Sequence, residues 1–253
     1  MQIQRIGFTP VKGGRHAEHR QVELTADGPV GDRVFCLVDP ERARVLRTVE
    51  NHSLLLAATS YTSGVLSVHL PDQTVEGTPE PTGERLKVDY WGRTAQLEVV
   101  DGPWAAAYSA HLGRDVVLAR SLSPGEIVYG APVTLVSTAS MAELDRRIGR
   151  DTGSARFRST LLVDTPDSEP HVEDSWVGRD LIVGEARLTV RGIVPRCAVV
   201  DLDPATGQRD ADVLATLAGY RRGDGEIHFG VDAVVSTPGR IRHGDGVSLA
   251  ERG

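Results

Sequence analysis

The feature that most narrows the choice of fold is a succession of short apolar runs, each closed by turn residues. Residues 3–8, 21–24, 34–38, 54–59, 65–70, 86–90 and 95–100 follow one another through the first hundred positions. Gly13-Gly14, Asp27-Gly28 and Pro71-Asp72 punctuate them, and these are residues that supply positive φ or preset turns. Runs of this length bounded by such turns read as strands. At this spacing they predict a small barrel or sandwich. The segment 75–85, rich in Pro, Thr, Gly and Glu, reads as an exposed loop between strands.

The remainder mixes strands with a few helices. Residues 103–112 place Trp104, Ala107, Tyr108 and His111 on roughly one helical face before Gly113, a residue that ends helices. A turn around 121–125 is the expected boundary between an N-terminal β-rich domain, residues 1–120, and a second domain, residues 121–253. Residues 133–136 read as a strand running into Ser137 and Thr138. Ser140 with Glu143 fits a capping box, and Met141, Leu144 and Ile148 follow at helical spacing. A helix start after a strand exposes free amides to anions, which makes Ser137 and Thr138 candidate ligand-binding residues. Strands at 181–183 and 186–190 form a hairpin around Gly184-Glu185, residues 210–217 a helix, and 229–235 and 247–249 the last strands. The fold class expected is mainly β with a few helices (α+β).

Arg156-Phe157-Arg158 leads into a strand at 160–164. Two arginines flanking an aromatic at a strand start would put both guanidiniums on one side, a clamp suited to phosphate. Glu173 and Asp174 read as surface capping acids and Trp176 as a buried plug.

Of the two cysteines, Cys36 lies inside Val34-Phe35-Cys36-Leu37-Val38 and reads as core. Cys197 follows Pro195-Arg196 and heads a mostly apolar run, 197–202, that reads as a strand closed by Asp203-Pro204. A permanent cation beside a thiol favours the thiolate, the form that binds soft metals and attacks sulfur or carbon. A free cysteine is more often a small core hydrophobe. The chain carries no signal peptide and no long apolar run, which points to a reducing, cytoplasmic setting and no membrane. A net charge of −7 and 5% aromatics leave no basic body or stacking platform for nucleic acid. None of the eight histidines sits at a metal-ligand spacing, and no dinucleotide or Walker glycine loop and no nucleophile elbow is present.

The ordered set Arg196-Cys197, Asp203-Pro204, Thr206-Gly207, Tyr220-Arg221, Phe229-Gly230, Pro238-Gly239 and Gly244-Asp245 resembles the MOSC domain family. The likeness extends upstream through Glu173-Asp174-Ser175-Trp176 and Arg156-Phe157-Arg158. It then reaches Thr48, Gly31-Asp32-Arg33 and Pro10-Val11-Lys12, a layout similar to the two-part amidoxime-reducing members. The resemblance implies a MOSC-type β-barrel domain behind an N-terminal β-rich domain. It also implies a molybdopterin-type molybdenum cofactor bound by its phosphate, and reduction of N-oxygenated small molecules. Cys197 then matches the molybdenum ligand, with Arg196 beside it as a second catalytic residue. Lys12, Arg33, Ser137, Thr138, Arg156, Arg158 and Thr160 fall at cofactor-binding positions. Expected partners are a small-molecule substrate and an electron-transfer protein. The sequence departs from the family pattern at Gly13, Thr160, Pro195 and Val200, which stand where the family commonly has side-chain hydrogen-bonding residues. Two other readings of the same thiol stay open: sulfur handling through a persulfide or carbon–sulfur cleavage without metal, and a non-catalytic molybdopterin carrier.

Overall fold

A computed structural model describes residues 1–123 and 125–251. Pro124, inside the turn expected at 121–125, lies outside the described residues. The chain opens with β1 (Gln2–Phe8), β2 (Ala17–His19), β3 (Gln21–Thr25) and β4 (Gly28–Pro29). It continues with β5 (Phe35–Asp39), β6 (Arg44–Val45), β7 (Ala58–Thr62), β8 (Val65–His69), β9 (Thr74–Gly77), β10 (Glu80–Tyr90) and β11 (Arg93–Asp101). Helix α1 (Trp104–Leu112) and β12 (Val117–Ser121) close this half. Next come β13 (Val133–Ser137), α2 (Thr138–Ile148), β14 (Leu161–Asp164), β15 (Asp180–Val183) and β16 (Ala186–Pro195). The last elements are α3 (Val213–Ala218), β17 (Arg222–Gly223), β18 (Glu226–Thr237), β19 (Gly239–Arg242) and β20 (Val247–Leu249). The mainly β class with a few helices holds.

Two β bodies carry the site. Strands β10, β11, β12, β5 and β6 close into a barrel, and the larger sheet runs β2-β1-β14-β13-β18-β16-β15-β20. The barrel interior is filled by Cys36, Val38, Tyr90, Leu97 and Ala119 among others. Burying such side chains stabilises by about 25 cal/mol per Å2 of apolar surface. The sheet buries Ile3, Ile6, Leu135, Leu161, Leu188 and Val231. The two halves of the sequence exchange a segment. β1 pairs antiparallel with β14, and β3 pairs with β19, so the first thirty residues lie with the second half. Residues 9–16 bridge back to the barrel, where the Lys12 amide donates to the Phe35 carbonyl at 2.8 Å and the Arg33 amide to the Thr9 carbonyl at 2.8 Å.

Several local expectations are corrected. Segment 75–85 is not a loop, since β9 and most of β10 occupy it and Glu80 and Pro81 face Asp101 and Val100 across a bulge. Most of its side chains are exposed, which accounts for the loop-like composition. Residues 197–202 are not a strand but a 3-10 turn over Ala198–Asp201, closed by Val200 N to Cys197 O at 3.2 Å. Arg156-Phe157-Arg158 enters its strand through another 3-10 turn, Ser154–Phe157. Residues 54–59 start in a third one, His52–Leu56, before β7 begins.

The cap of α2 is Ser137, whose hydroxyl accepts from the Ser140 amide at 3.1 Å. Ser140 is therefore inside the helix, and Glu143 pairs instead with Arg146 and Arg147. Glu173 is fully buried, accepting from the Ser137 hydroxyl at 2.5 Å and the Ser140 hydroxyl at 2.8 Å. Buried carboxylates need partners, and the serines at the helix start provide them. Helix α3 is shorter than expected because Asp210 pairs with Arg150 and Arg156.

Candidate functional site

The cleft between the barrel and the large sheet has a volume of about 370 Å3, in the range of small-molecule sites. It is lined from both halves: Lys12, Gly13, His16 and Arg33 from one side, Arg156, Arg158, Arg196 and Cys197 from the other. Bulges deliver Arg196 and Cys197 of the second group, while a 3-10 turn carries Arg156 and Arg158. The β16–β18 register slips three times, between Arg187 and Leu188, Val190 and Gly192, and Ile193 and Pro195. Each bulge bends and twists the strand. The ladder ends on Pro195 opposite His228, the Arg196 amide still reaches the Ile227 carbonyl at 2.7 Å, and Cys197 emerges exposed. Gly230 makes the approach fit. At φ +75°, a Cβ there would lie 2.5 Å from the Leu135 carbonyl oxygen and 3.3 Å from Arg196 Nη2.

The cations are under-compensated. Arg33 is paired with Asp32 at 2.5 Å and donates to the Pro132 carbonyl at 3.1 Å. Arg158 donates to the Gly14 carbonyl at 2.7 Å, tying the second half to the first. Arg196 donates to the Phe229 carbonyl at 2.8 Å and the Phe157 carbonyl at 2.9 Å, while its Nη2 is buried with no partner. Lys12 Nζ lies 4.9 Å from the Tyr90 ring centroid, a favourable cation–π distance. Lys12, Arg158 and Arg196 make no ion pair among the described residues.

Burial, then the nearby Arg33 and Arg158 charges, push the Lys12 ammonium down to about 8. Burial and Arg33 push Arg158 down to about 10, and burial does the same to Arg196. His16, also in the lining, is held well below its usual range by burial and these arginines, so it is neutral at pH 7. Arg33 and Arg158 both sit at positive φ, 47° and 52°, a conformation that costs roughly 1–3 kcal/mol and gathers at functional sites.

The residues singled out from sequence divide. Lys12, Arg33, Arg156, Arg158, Arg196 and Cys197 come together in the cleft. Arg156 and Arg158 do not form a clamp. The Arg156 guanidinium is buried against the Thr152, Val200 and Leu202 carbonyls and Asp210, so it holds the turn that carries Cys197. Ser137 and Thr138 lie outside the lining, committed to Glu173 and to Asp164 and Thr165. Thr160 sits one layer behind, exchanging hydrogen bonds of 3.1 Å with Thr134.

The four departures from the family pattern have local reasons. A side chain on Gly13 would meet Leu54 Cδ1 at 2.9 Å, and its φ is +92°. Pro195 ends the ladder, Val200 is core, and Thr160 pairs with Thr134. Sequence reasoning missed Trp91, Tyr129 and Glu226 in the lining. Trp91-Gly92 between two strands was the available signal.

A ligand carrying a phosphate and a thiolate-accepting metal fits this donor set. Cationic groups and the unpartnered Arg196 Nη2 suit the phosphate, and the exposed Cys197 sulfur in the same cleft suits the metal. Among the described residues no group of three or more His, Cys, Asp or Glu side chains could hold a metal ion. Cys197 would therefore be a single protein ligand, and the other donors would come with the ligand.

The family model described as MOSC domain matches residues 107–248, more than half of the chain. The chain is 25% identical over 287 residues to "Mitochondrial amidoxime reducing component 2" of Rattus norvegicus, covering 97% of this chain and 82% of that protein. It is 28% identical over 177 residues to "Molybdenum cofactor sulfurase" of Oryza sativa subsp. japonica, covering 57% of this chain. It spans about a fifth of the length of the plant sulfurases it matches, 21% and 20%. Among solved structures, the YuaD protein from Bacillus subtilis aligns over 97% of this chain and 93% of its own, with a TM-score of 0.45 and 11% identity.

Proposed function

The chain belongs to the MOSC domain family, and from that premise we propose that its cationic cleft binds a molybdopterin-type molybdenum cofactor and reduces N-oxygenated small molecules. The observation that carries this reading is the meeting of an exposed thiol with several half-buried cations in one cleft. Of these, Lys12, Arg158 and Arg196 make no ion pair among the described residues, and Arg196 Nη2 has no hydrogen-bond partner there. The similarity to an amidoxime-reducing component along nearly the whole chain supports the same reaction class.

Lys12, Arg33, Arg158 and the free arm of Arg196 hold the cofactor phosphate, each charge-assisted contact contributing about 1.5–3 kcal/mol. Cys197 Sγ supplies the soft donor. Arg156 positions it by fixing the 3-10 turn from behind. When bound, the metal group would supply two-electron redox chemistry for removing oxygen from nitrogen. Overall, an N–OH compound takes up two electrons and two protons and yields N–H and water. The Lys12 ammonium, lowered to about 8 by burial and the neighbouring arginines, still carries its proton at Nζ at neutral pH, the form that pairs with a phosphate. Residues from both 1–120 and 121–253 line the cleft, and a redox partner protein in the cytoplasm supplies the electrons.

The test is reduction of an amidoxime to its amidine, with a chemical reductant, by protein purified from a host that makes the cofactor. Turnover lost on Cys197→Ser is the expected result. Molybdenum-free protein carrying cyanide-labile sulfur on Cys197 would replace this reading with sulfur handling.

A further inference from the structure

Two large aromatic side chains stand exposed at the cleft: Trp91 at 45% and Tyr129 at 59% of their free accessibility. The other two tryptophans, Trp104 and Trp176, are buried. Trp91 is also in an unusual backbone state. Tyr90 and Arg93 are paired across a two-residue hairpin turn in which Trp91 has φ +55° and Gly92 φ +80°. Turns with both central residues at positive φ favour Asn-Gly or Gly-Gly, and a bulky aromatic there is an outlier. Strain of this kind points to a function for the side chain it displays.

The indole is fixed in place. The Arg47 guanidinium lies 4.4 Å from its ring centroid, and Arg47 is itself held by Asp89 at 3.2 Å and Glu50 at 3.7 Å. Asp89 in turn accepts from the Gly92 amide at 2.8 Å. Tyr129 comes from a different loop, yet that loop is tied to the same hairpin, because Arg93 donates to the Val128 carbonyl. The two rings stand 5.7 Å apart at 56°, a tilted pair in direct contact that still leaves much of both rings exposed beside the cleft. A planar ring laid against that open surface can stack on one ring and meet the other edge-on, both favoured aromatic geometries. The half-buried cations that suit a phosphate lie elsewhere in the lining, at Lys12, Arg158 and Arg196.

We propose that Trp91 and Tyr129 form the substrate-selecting mouth of the site, preferring small molecules whose reacting group is borne on a planar aromatic ring. This rests on the reductive reading of the site given above. The experiment is calorimetric titration of the cofactor-loaded full chain with phenyl amidoxime and with methyl amidoxime, which share a head group and differ in the ring. Trp91→Asn is the first variant, since asparagine suits the turn and keeps the fold, and Tyr129→Ala the second.

Both variants should weaken phenyl amidoxime about tenfold, the scale of one aromatic contact. Methyl amidoxime should stay within about twofold, the scale expected where no ring contact is lost. Equal losses for both ligands, or none for either, would overturn the proposal. So would a fall in molybdenum content in Trp91→Asn, which would assign the platform to the cofactor ring instead. Failure of the reductive reading is read separately, as wild-type protein without molybdenum. Even then phenyl amidoxime should quench the tryptophan emission of the wild type and not of Trp91→Asn, and absence of that difference contradicts the mouth itself.

Discussion

Cys36 lies inside a short apolar run and Cys197 heads one after Pro195-Arg196, and the structure gives the two thiols opposite fates. Cys36 is in the middle of β5, a strand buried at every position, with neighbours β12 and β6 in regular register. Burial pushes its thiol up to about 12. Cys197 follows a strand whose register slips three times, and it caps a 3-10 turn at the edge of a cationic cleft. The difference lies in the backbone. A regular ladder keeps a small apolar side chain inside, and a bulged one that ends on proline releases it.

The strongest way to break this contrast is alkylation. With iodoacetamide at neutral pH, Cys197 should label at least about 100-fold faster than Cys36, whose thiolate is on the order of one part in 10⁵ at pH 7 when its pKa is near 12. Comparable rates, read by peptide mass spectrometry, would mean that β5 opens readily and that the two regions are not distinct.

The contrast extends to two arginines separated by one residue, Phe157. Arg156→Ala removes the partner of three carbonyls and Asp210, and should cost about 3–5 kcal/mol of stability by denaturant unfolding. Arg158→Ala loses one hydrogen bond to Gly14 and should leave a folded protein. Its affinity for inorganic phosphate, followed as thermal protection, should fall about tenfold, the scale of one charged hydrogen bond. Reversed effects would reverse the roles assigned to the pair.

Much of this was legible in sequence and some was not, for identifiable reasons. Most strands announced themselves because one face of each is buried and the turns carry Gly, Pro and Asp. The exposed part of β10 did not, because a strand with polar side chains on both faces resembles a loop. Glu173 read as a surface acid because its partners, Ser137 and Ser140, are more than thirty residues away. Arg156 and Arg158 read as a clamp because strand alternation was assumed where a 3-10 turn intervenes and Arg158 takes φ +52°. Trp91 escaped notice because hairpin turns rarely present an aromatic.

A smaller effect sharpens the account of the cleft. Lys12 loses its proton near pH 8 in the folded protein, against a usual 10.5. Between those values the unfolded chain binds more protons, so the burial penalty is complete below about 8 and fades as pH rises toward 10.5. Phosphate affinity should move the other way, dropping severalfold as pH climbs through 8 and the ammonium discharges. Lys12→Met should flatten that profile, and an unchanged profile would remove Lys12 from the anion site.

The central claim, that Cys197 and not Cys36 binds the metal of a phosphate-anchored cofactor, is tested most directly by molybdenum content. Wild type, Cys36→Ser and Cys197→Ser would be purified from one host that makes the cofactor and analysed for molybdenum per chain. The account predicts close to one metal per chain in wild type and in folded Cys36→Ser, and a drop to background in Cys197→Ser, whose hard oxygen donor matches the site poorly. Equal molybdenum in wild type and Cys197→Ser, or none in any of the three, would contradict it.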